Sequence, residues 1–308
     1  MTRVILDCDP GHDDAIALLL ALASPELELL GVTTVSGNQT LAKTTANAIR
    51  VLDHLGRDEV PVAAGASRPL VRERRVAADV HGETGLDGPD LPPPAREPEP
   101  QHAIDWIATT LAAVPSPVTL VPTGPLTNVA LLLARYPELE SKLEHIVLMG
   151  GAIGEGNVTP AAEFNVWVDP EAAQRVFSSG LDVTMVGLDV THQALLRQAD
   201  VDRLAAAGSA GKLVADLYGF YARFHRQRYG WDGAPVHDAL ALAHVIDDSL
   251  VETKHCGVIV DTGPEPSRGR THVDLWGRAG WEPNCHVAVK VDAERFIELL
   301  VGRIAGLG

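Results

Sequence analysis

The chain has 308 residues, 46% hydrophobic and 21% charged, with a formal net charge of −16. Such a length and composition suit one large soluble α/β domain or two small ones. The negative field repels phosphate backbones, so nucleic acid is not an expected partner, and no run approaches the roughly 18 apolar residues of a membrane span.

Short strand-like runs alternate with helical ones along the chain. Residues 3–7 ("RVILD") read as a buried strand and 14–23 as a helix, followed by a strand-like 27–36 and a helix over 40–56 that ends on Gly56. A short strand (60–65) precedes a long connection, and then come a helix (103–114), a strand (117–124) and a helix opened and closed by proline (125–137). A strand (145–151), a helix with Asp169 as N-cap (169–180) and a strand (182–190) continue the alternation. Residues 200–230 look helical and aromatic, and 236–246 forms another helix. Residues 254–262 and 270–276 read as an antiparallel hairpin, 285–292 as a last strand and 293–306 as a closing helix. The pattern predicts an α/β fold: a Rossmann-like, open, mostly parallel sheet with helices on both faces, in a single domain spanning 1–308. Proline excludes regular structure from 87–100 ("DGPDLPPPAREPEP"), and the whole stretch 66–100 reads as a long loop within that domain.

Cys8, Cys256 and Cys285 are too few and too scattered for a disulfide framework or a zinc cluster, which fits a reducing compartment. The first residues carry no apolar leader, and a cytoplasmic location is the expectation.

In open α/β sheets, ligands collect at the carboxyl ends of the strands. The first strand exits into "DCDPGHDD", which packs Asp7, Asp9, Asp13 and Asp14 into eight positions. Helix capping accounts for one or two of these carboxylates but not for the rest. Metal binding explains the crowd better, and because the candidate donors are oxygens, calcium or magnesium is favoured over zinc. Further strand exits carry Ser36-Gly37-Asn38, Pro122-Thr123-Gly124, and a glycine-rich loop that leads to Asn157 and to Glu163-Phe164-Asn165. His237-Asp238 opens a helix and His81 sits in the long loop, and each alone reads as capping or solvated. Tyr221, His225 and Tyr229 recur four apart, which suits either one face of a base pocket or core packing.

Seven segments then resemble one family in order. "DCDPGHDDAIAL", "TVSGNQT", "HGETGL", "PTGPLTNVALLL", "MGG", "NVTPAAEFNVWVDPEAA" and "PVHDALA" are similar to the inosine-uridine-preferring nucleoside hydrolases, from residue 4 to about residue 245. The resemblance implies hydrolysis of the N-glycosidic bond of ribonucleosides to free base and ribose, by calcium-activated water through an oxocarbenium-like transition state. It implies Ca2+ held by Asp9, Asp14, the Thr123 carbonyl and Asp238. Asp9 would also be the base that activates water. Asp13, Asn38, Asn157, Glu163 and Asn165 would meet the ribose hydroxyls, with Asn157 and Glu163 nearer the 5′ end and Met149 beneath the sugar. His237 would assist the leaving base. Tyr229 is expected in the base pocket, and the loop 66–100 is expected to be a mobile lid carrying His81 over the site. Asp7 is expected to hold the metal ligands in place, and His12 simply to occupy the turn. A homo-oligomer, tetramer or dimer, is implied as well. Two other readings remain at this stage: a non-catalytic calcium-dependent ribonucleoside-binding protein, and a metal-dependent phosphatase suggested by Asp-x-Asp at a strand end. Pro-Gly followed by Asp-Asp is wrong for the phosphatase.

Overall fold

The structure is a computed structural model and describes residues 1–307. Its strands are β1 (Thr2–Cys8), β2 (Leu27–Thr34), β3 (Val62–Ala64), β4 (Val118–Pro122), β5 (Leu143–Met149), β6 (Val183–Val186), β7 (Leu195–Leu196), β8 (Ala234–Pro235), β9 (Val251–Cys256), β10 (Val258–Val260), β11 (Thr271–Val273) and β12 (Cys285–Val291). Among the described residues the main sheet has eight strands in the order β3-β2-β1-β4-β5-β6-β12-β9. Strand order reverses about β1, which β2 and β4 flank in parallel. β1 is followed by the helix His12–Ala23, buried from His12 to Ala21. The helix His237–Ile246 is buried from His237 to Ala243. Each is rich in alanine and leucine on all sides, the composition of a helix wrapped by protein rather than by water. Two apolar cores result, one on each face of the sheet.

The fold agrees with the expected architecture, and it corrects some boundaries. Residues 254–262 do not form one strand. The chain breaks at Gly257: β9 runs antiparallel to β12 at the sheet edge, while β10 pairs antiparallel with β11 as expected of the hairpin. A side chain at Gly257 would place its Cβ 2.6 Å from Trp281 Cβ, so only glycine permits that crossing. The strand expected over 182–190 ends at Val186, and Leu188–Thr191 turns into a short helix. Residues 200–230 divide into the helices Gln198–Ala205 and Ser209–Tyr229. Among the described residues no helix is long and apolar enough to cross a membrane.

Candidate active site

β1 ends at Cys8, and the chain turns through Asp9-Pro10-Gly11 into a helix whose first turn carries Asp13 and Asp14. The helix His237–Ile246 starts at the same place with Asp238 in its first turn. Two positive helix ends thus converge, and carboxylates reverse their field. One oxygen each from Asp13, Asp14 and Asp238 lies within 4.8 Å of the other two. Asp14 does cap its helix, accepting from the Gly11 N–H at 3.0 Å, and it also accepts from the Thr123 hydroxyl at 2.9 Å. Asn38 joins Asp9 to this trio. Its backbone N–H donates to Asp9 Oδ2 at 2.5 Å and its side-chain amide to Asp14 Oδ2 at 3.0 Å. Asp9 Oδ1 is buried without a partner. A Cβ on Gly124 would stand 2.6 Å from that oxygen, and one on Gly37 would collide with Oδ2. Glycine at both positions makes the slot into which the Asp9 carboxylate fits.

Burial disfavours the charged form of every carboxyl here. It pushes Asp9 well above the usual range, with the Asp14 charge adding to the rise. Asp13 is pushed up to about 8 by burial and then by Asp14. Asp238 goes well above its usual value by burial and by the charges of Asp13 and Asp14. Asp14 is raised by burial against the opposing hydrogen bonds from Gly11 and Thr123. An all-oxygen donor set with an unpartnered buried carboxylate oxygen fits a hard divalent cation. The expected ligand set included Asp9 rather than Asp13. Here Asp13 groups with Asp14 and Asp238, and Asp9 adjoins them, its backbone N–H donating to Asp14 Oδ1 at 3.3 Å. The Thr123 carbonyl accepts from the Asn165 amide at 2.7 Å.

Behind this floor, Asp7 accepts from the Thr33 hydroxyl at 2.6 Å and the Asn128 amide at 2.8 Å, while its carbonyl accepts from the Thr123 N–H at 2.8 Å. It ties β1 to β2 and orients the peptide at Thr123. Burial raises its carboxyl to about 6.

Asp13, Asn38, His81, Thr123, Met149, Asn157, Glu163, Asn165, Tyr229, His237 and Asp238 all line one cavity of about 460 Å³, and Asp9 and Asp14 lie beneath its floor. A second side comes from the loop after β5. Glu163 caps the short helix Phe164–Val168, accepting from the N–H groups of Asn165 at 2.9 Å and Gly151 at 3.0 Å, and burial lifts its carboxyl to about 7. Asn157 accepts from the Phe164 N–H at 2.9 Å, and the Asn165 amide also reaches the Met149 carbonyl at 3.2 Å.

The third side is aromatic and rich in histidine. Tyr221, Phe224, His225 and Tyr229 from the helix Ser209–Tyr229 line the cavity together with His81, His192 and His237, and Tyr221 stacks on His81. Tyr229 stacks on Trp231, their ring centroids 4.5 Å apart. His237 Nδ1 lies 2.7 Å from the Thr191 hydroxyl, and burial, reinforced by His192, His225 and His81, holds its imidazole well below the usual pKa. His12 does more than fill its turn. It lies 3.2 Å from His81 Nδ1 and 2.9 Å from the Asp87 carbonyl, and it stacks on Tyr221, so it pins the loop 66–100 to the site. His192 and Trp167 line the cavity unforeseen. His192 follows the exit of β6, the position at which strand-exit logic looks for ligands.

The fold and cavity define a class: an α/β protein that pools buried carboxylates at its strand exits, beneath a three-sided pocket sized for a nucleoside. The chain belongs to the family described as inosine-uridine preferring nucleoside hydrolase, whose model matches residues 4–298. It is 52% identical over 304 residues to the pyrimidine-specific ribonucleoside hydrolase RihA of Shewanella sp. (strain ANA-3), covering 98% of this chain and 96% of that one. It is 50% identical over 307 residues to the protein of the same name from Salmonella arizonae, covering 99% of each. The purine-preferring ribonucleoside hydrolase from Gardnerella vaginalis superposes with a TM-score of 0.94 at 37% identity over 99% of each chain. The protein is a hydrolase that cleaves ribonucleosides to base and ribose.

Proposed function

We propose that this enzyme prefers pyrimidine ribonucleosides and works with calcium at the carboxylate floor. The observation that carries the cation is Asp9 Oδ1, buried and unpartnered among four carboxyls that burial alone would neutralise. Asp9, Asp14, Asp238 and the Thr123 carbonyl would hold the ion, with Asp13 beside them. Calcium there would lower the pKa of water and fix the ribose diol.

The remaining steps belong to the chain's own residues. Asp9, kept ionised by the cation, would be the base that takes a proton from the attacking water. Asp13, Asn38 and Asn165 position the ribose. Asp13 and Glu163 place negative charge where positive charge develops on the sugar. Asn157 and Glu163, which line the same cavity, would meet the ribose nearer its 5′ end, as the family resemblance implies. Met149 lies beneath the ring. His237, with Nδ1 engaged by Thr191, has Nε2 left for the departing base.

Base preference is supported by the aromatic wall, where Tyr221 and His225 are buried and fill the base side, and by relatives of about half identity whose names specify pyrimidines. Ribose release from uridine, cytidine, inosine and adenosine tests this. The pyrimidine nucleosides should lead in kcat/KM by at least about tenfold, the scale on which pocket shape discriminates. Equal rates or purine preference would overturn the base assignment. No release from any nucleoside with calcium bound would point to a binding protein. The loop 66–100 serves as a lid through His81, so a ribose-mimicking inhibitor should slow its proteolysis, and unchanged cleavage would argue against it. We also infer a homo-oligomer, checked by sedimentation, and a cytoplasmic protein, consistent with three free buried cysteines.

A further inference from the structure

His192 lines the active-site cavity beside the aromatic wall, yet no step of the cleavage uses it. It follows the short helix Leu188–Thr191 after β6, and its N–H donates to the Leu188 carbonyl at 3.0 Å. Its backbone is therefore fixed at the rim of the sheet. The neighbouring residue, Thr191, holds His237 Nδ1 at 2.7 Å. The His192 ring meets the His237 ring edge-on with centroids 5.6 Å apart, and the Trp231 ring edge-on at 4.9 Å. Tyr229, at the exposed rim of the cavity, lies 6.3 Å away. His237 adjoins Asp238 of the floor, so His192 sits one ring further out along the wall, between His237 and the rim. A base whose sugar rests on the floor brings its far edge to that position.

We infer that His192 reads the exocyclic group at position 4 of the pyrimidine and so lets one pocket take both uridine and cytidine. This rests on the pyrimidine preference proposed above. The two bases differ there in hydrogen-bonding sense: uracil O4 accepts, whereas the cytosine N4 amino group donates. A fixed donor such as lysine serves the first and opposes the second, and a carboxylate does the reverse. A neutral imidazole carries one N–H and one bare nitrogen, and exchange of the tautomer presents either sense. Burial holds the His192 imidazole below its usual pKa, against the pull of Asp189, and keeps it in that form. Two other histidines of the wall lack this freedom. His81 Nδ1 accepts from the His12 N–H at 3.3 Å, and His225 Nδ1 donates to the Tyr221 carbonyl at 3.0 Å, so the protein sets each tautomer. Among the described residues His192 meets rings and makes no side-chain hydrogen bond.

The test measures kcat/KM for uridine, cytidine and the 2-pyrimidinone riboside, which carries hydrogen at position 4. His192→Gln keeps a donor and an acceptor and should retain uridine and cytidine within about threefold of wild type. His192→Lys should disfavour cytidine against uridine by at least about tenfold, and His192→Glu should shift the ratio the other way by as much. Each ratio compares two nucleosides on one variant, so a general loss of activity cancels. His192→Phe should lose about tenfold or more on both, yet less than about threefold on the 2-pyrimidinone riboside, which never made the contact. A merely structural role would lower all three substrates together. An unchanged uridine-to-cytidine ratio in both His192→Lys and His192→Glu would overturn the inference, as would an equal loss on all three substrates in His192→Phe. Failure of the pyrimidine reading leaves a different mark: wild type would then favour inosine over uridine, and the inference would fall with it before any variant is compared.

Discussion

Asp9, Asp13, Asp14 and Asp238 on one side of the active-site cavity, and His12, His81, His225 and His237 on the other, are all buried, and burial moves their pKa values in opposite directions. The carboxyls rise and the imidazoles fall, because low dielectric disfavours the charged form of each. The consequences differ. The carboxyls crowd one another, so they can remain ionised only beside an outside positive charge. The imidazoles are neutral and need no partner of that kind. One side is therefore suited to a cation and a developing sugar cation, and the other is a neutral surface of ring faces and hydrogen-bond donors suited to a heterocycle.

The largest expected effect separates the two sides. Asp9→Asn keeps the shape of the side chain and removes the base, so kcat should fall on the order of 10³-fold, within the range for a positioned general base. Calorimetric calcium affinity should fall with it. A variant within about tenfold of wild type would remove Asp9 from the chemistry. His237→Ala should lower kcat on uridine by about 10²-fold, yet change little on a riboside with a strongly acidic leaving group, because such a group departs without help. Asp9→Asn should impair both substrates. If His237→Ala is equally damaging on both, the wall is not assisting departure.

The two sides also differ in how far the sequence disclosed them. The floor lies in local motifs: a strand exit, a Pro-Gly turn and a helix start place Asp9, Asp13 and Asp14 within six positions, and short-range rules are enough to read them. The sheet follows from the same alternation, apart from its antiparallel edge, where β9 parts from β10 at a glycine whose reason for being there, the Trp281 contact, is a long-range one. The wall is assembled from residues 81, 192, 221–231 and 237, brought together only by tertiary packing. Spacing alone left the Tyr221-His225-Tyr229 face divided between core and pocket. The structure makes it both, with Tyr221 and His225 buried and still lining the cavity. His12 was unreadable for the same reason, since its partners lie some 70 and more residues away at His81 and Asp87.

A smaller effect concerns pH. The His225 imidazole is lowered to about 4 from 6.5, first by burial. The unfolded chain therefore binds the extra proton between those values. The stability contributed by a neutral His225 is complete above pH 6.5 and is lost as pH falls through about 4, which for a shift of this size amounts to about 3 kcal/mol. His225→Gln cannot titrate. Urea denaturation of both proteins should show the wild type losing ground to the variant as pH drops across that window. A pH-independent difference would mean that His225 is not held neutral by the fold.

The smallest effect falls at the rim. Tyr229 is 36% exposed and stacks on Trp231, so it offers a ring face to the base without closing the pocket. Aromatic contacts of this kind contribute about 0.5–1.5 kcal/mol, and Tyr229→Ala should raise KM for uridine about two- to tenfold. Because such a contact is made equally in the ground and transition states, kcat should stay within about twofold. Steady-state kinetics on uridine separates the two constants. A fall in kcat at constant KM would give Tyr229 an interaction made only as the glycosidic bond breaks, and the wall could then no longer be treated as a recognition surface set apart from the reacting floor.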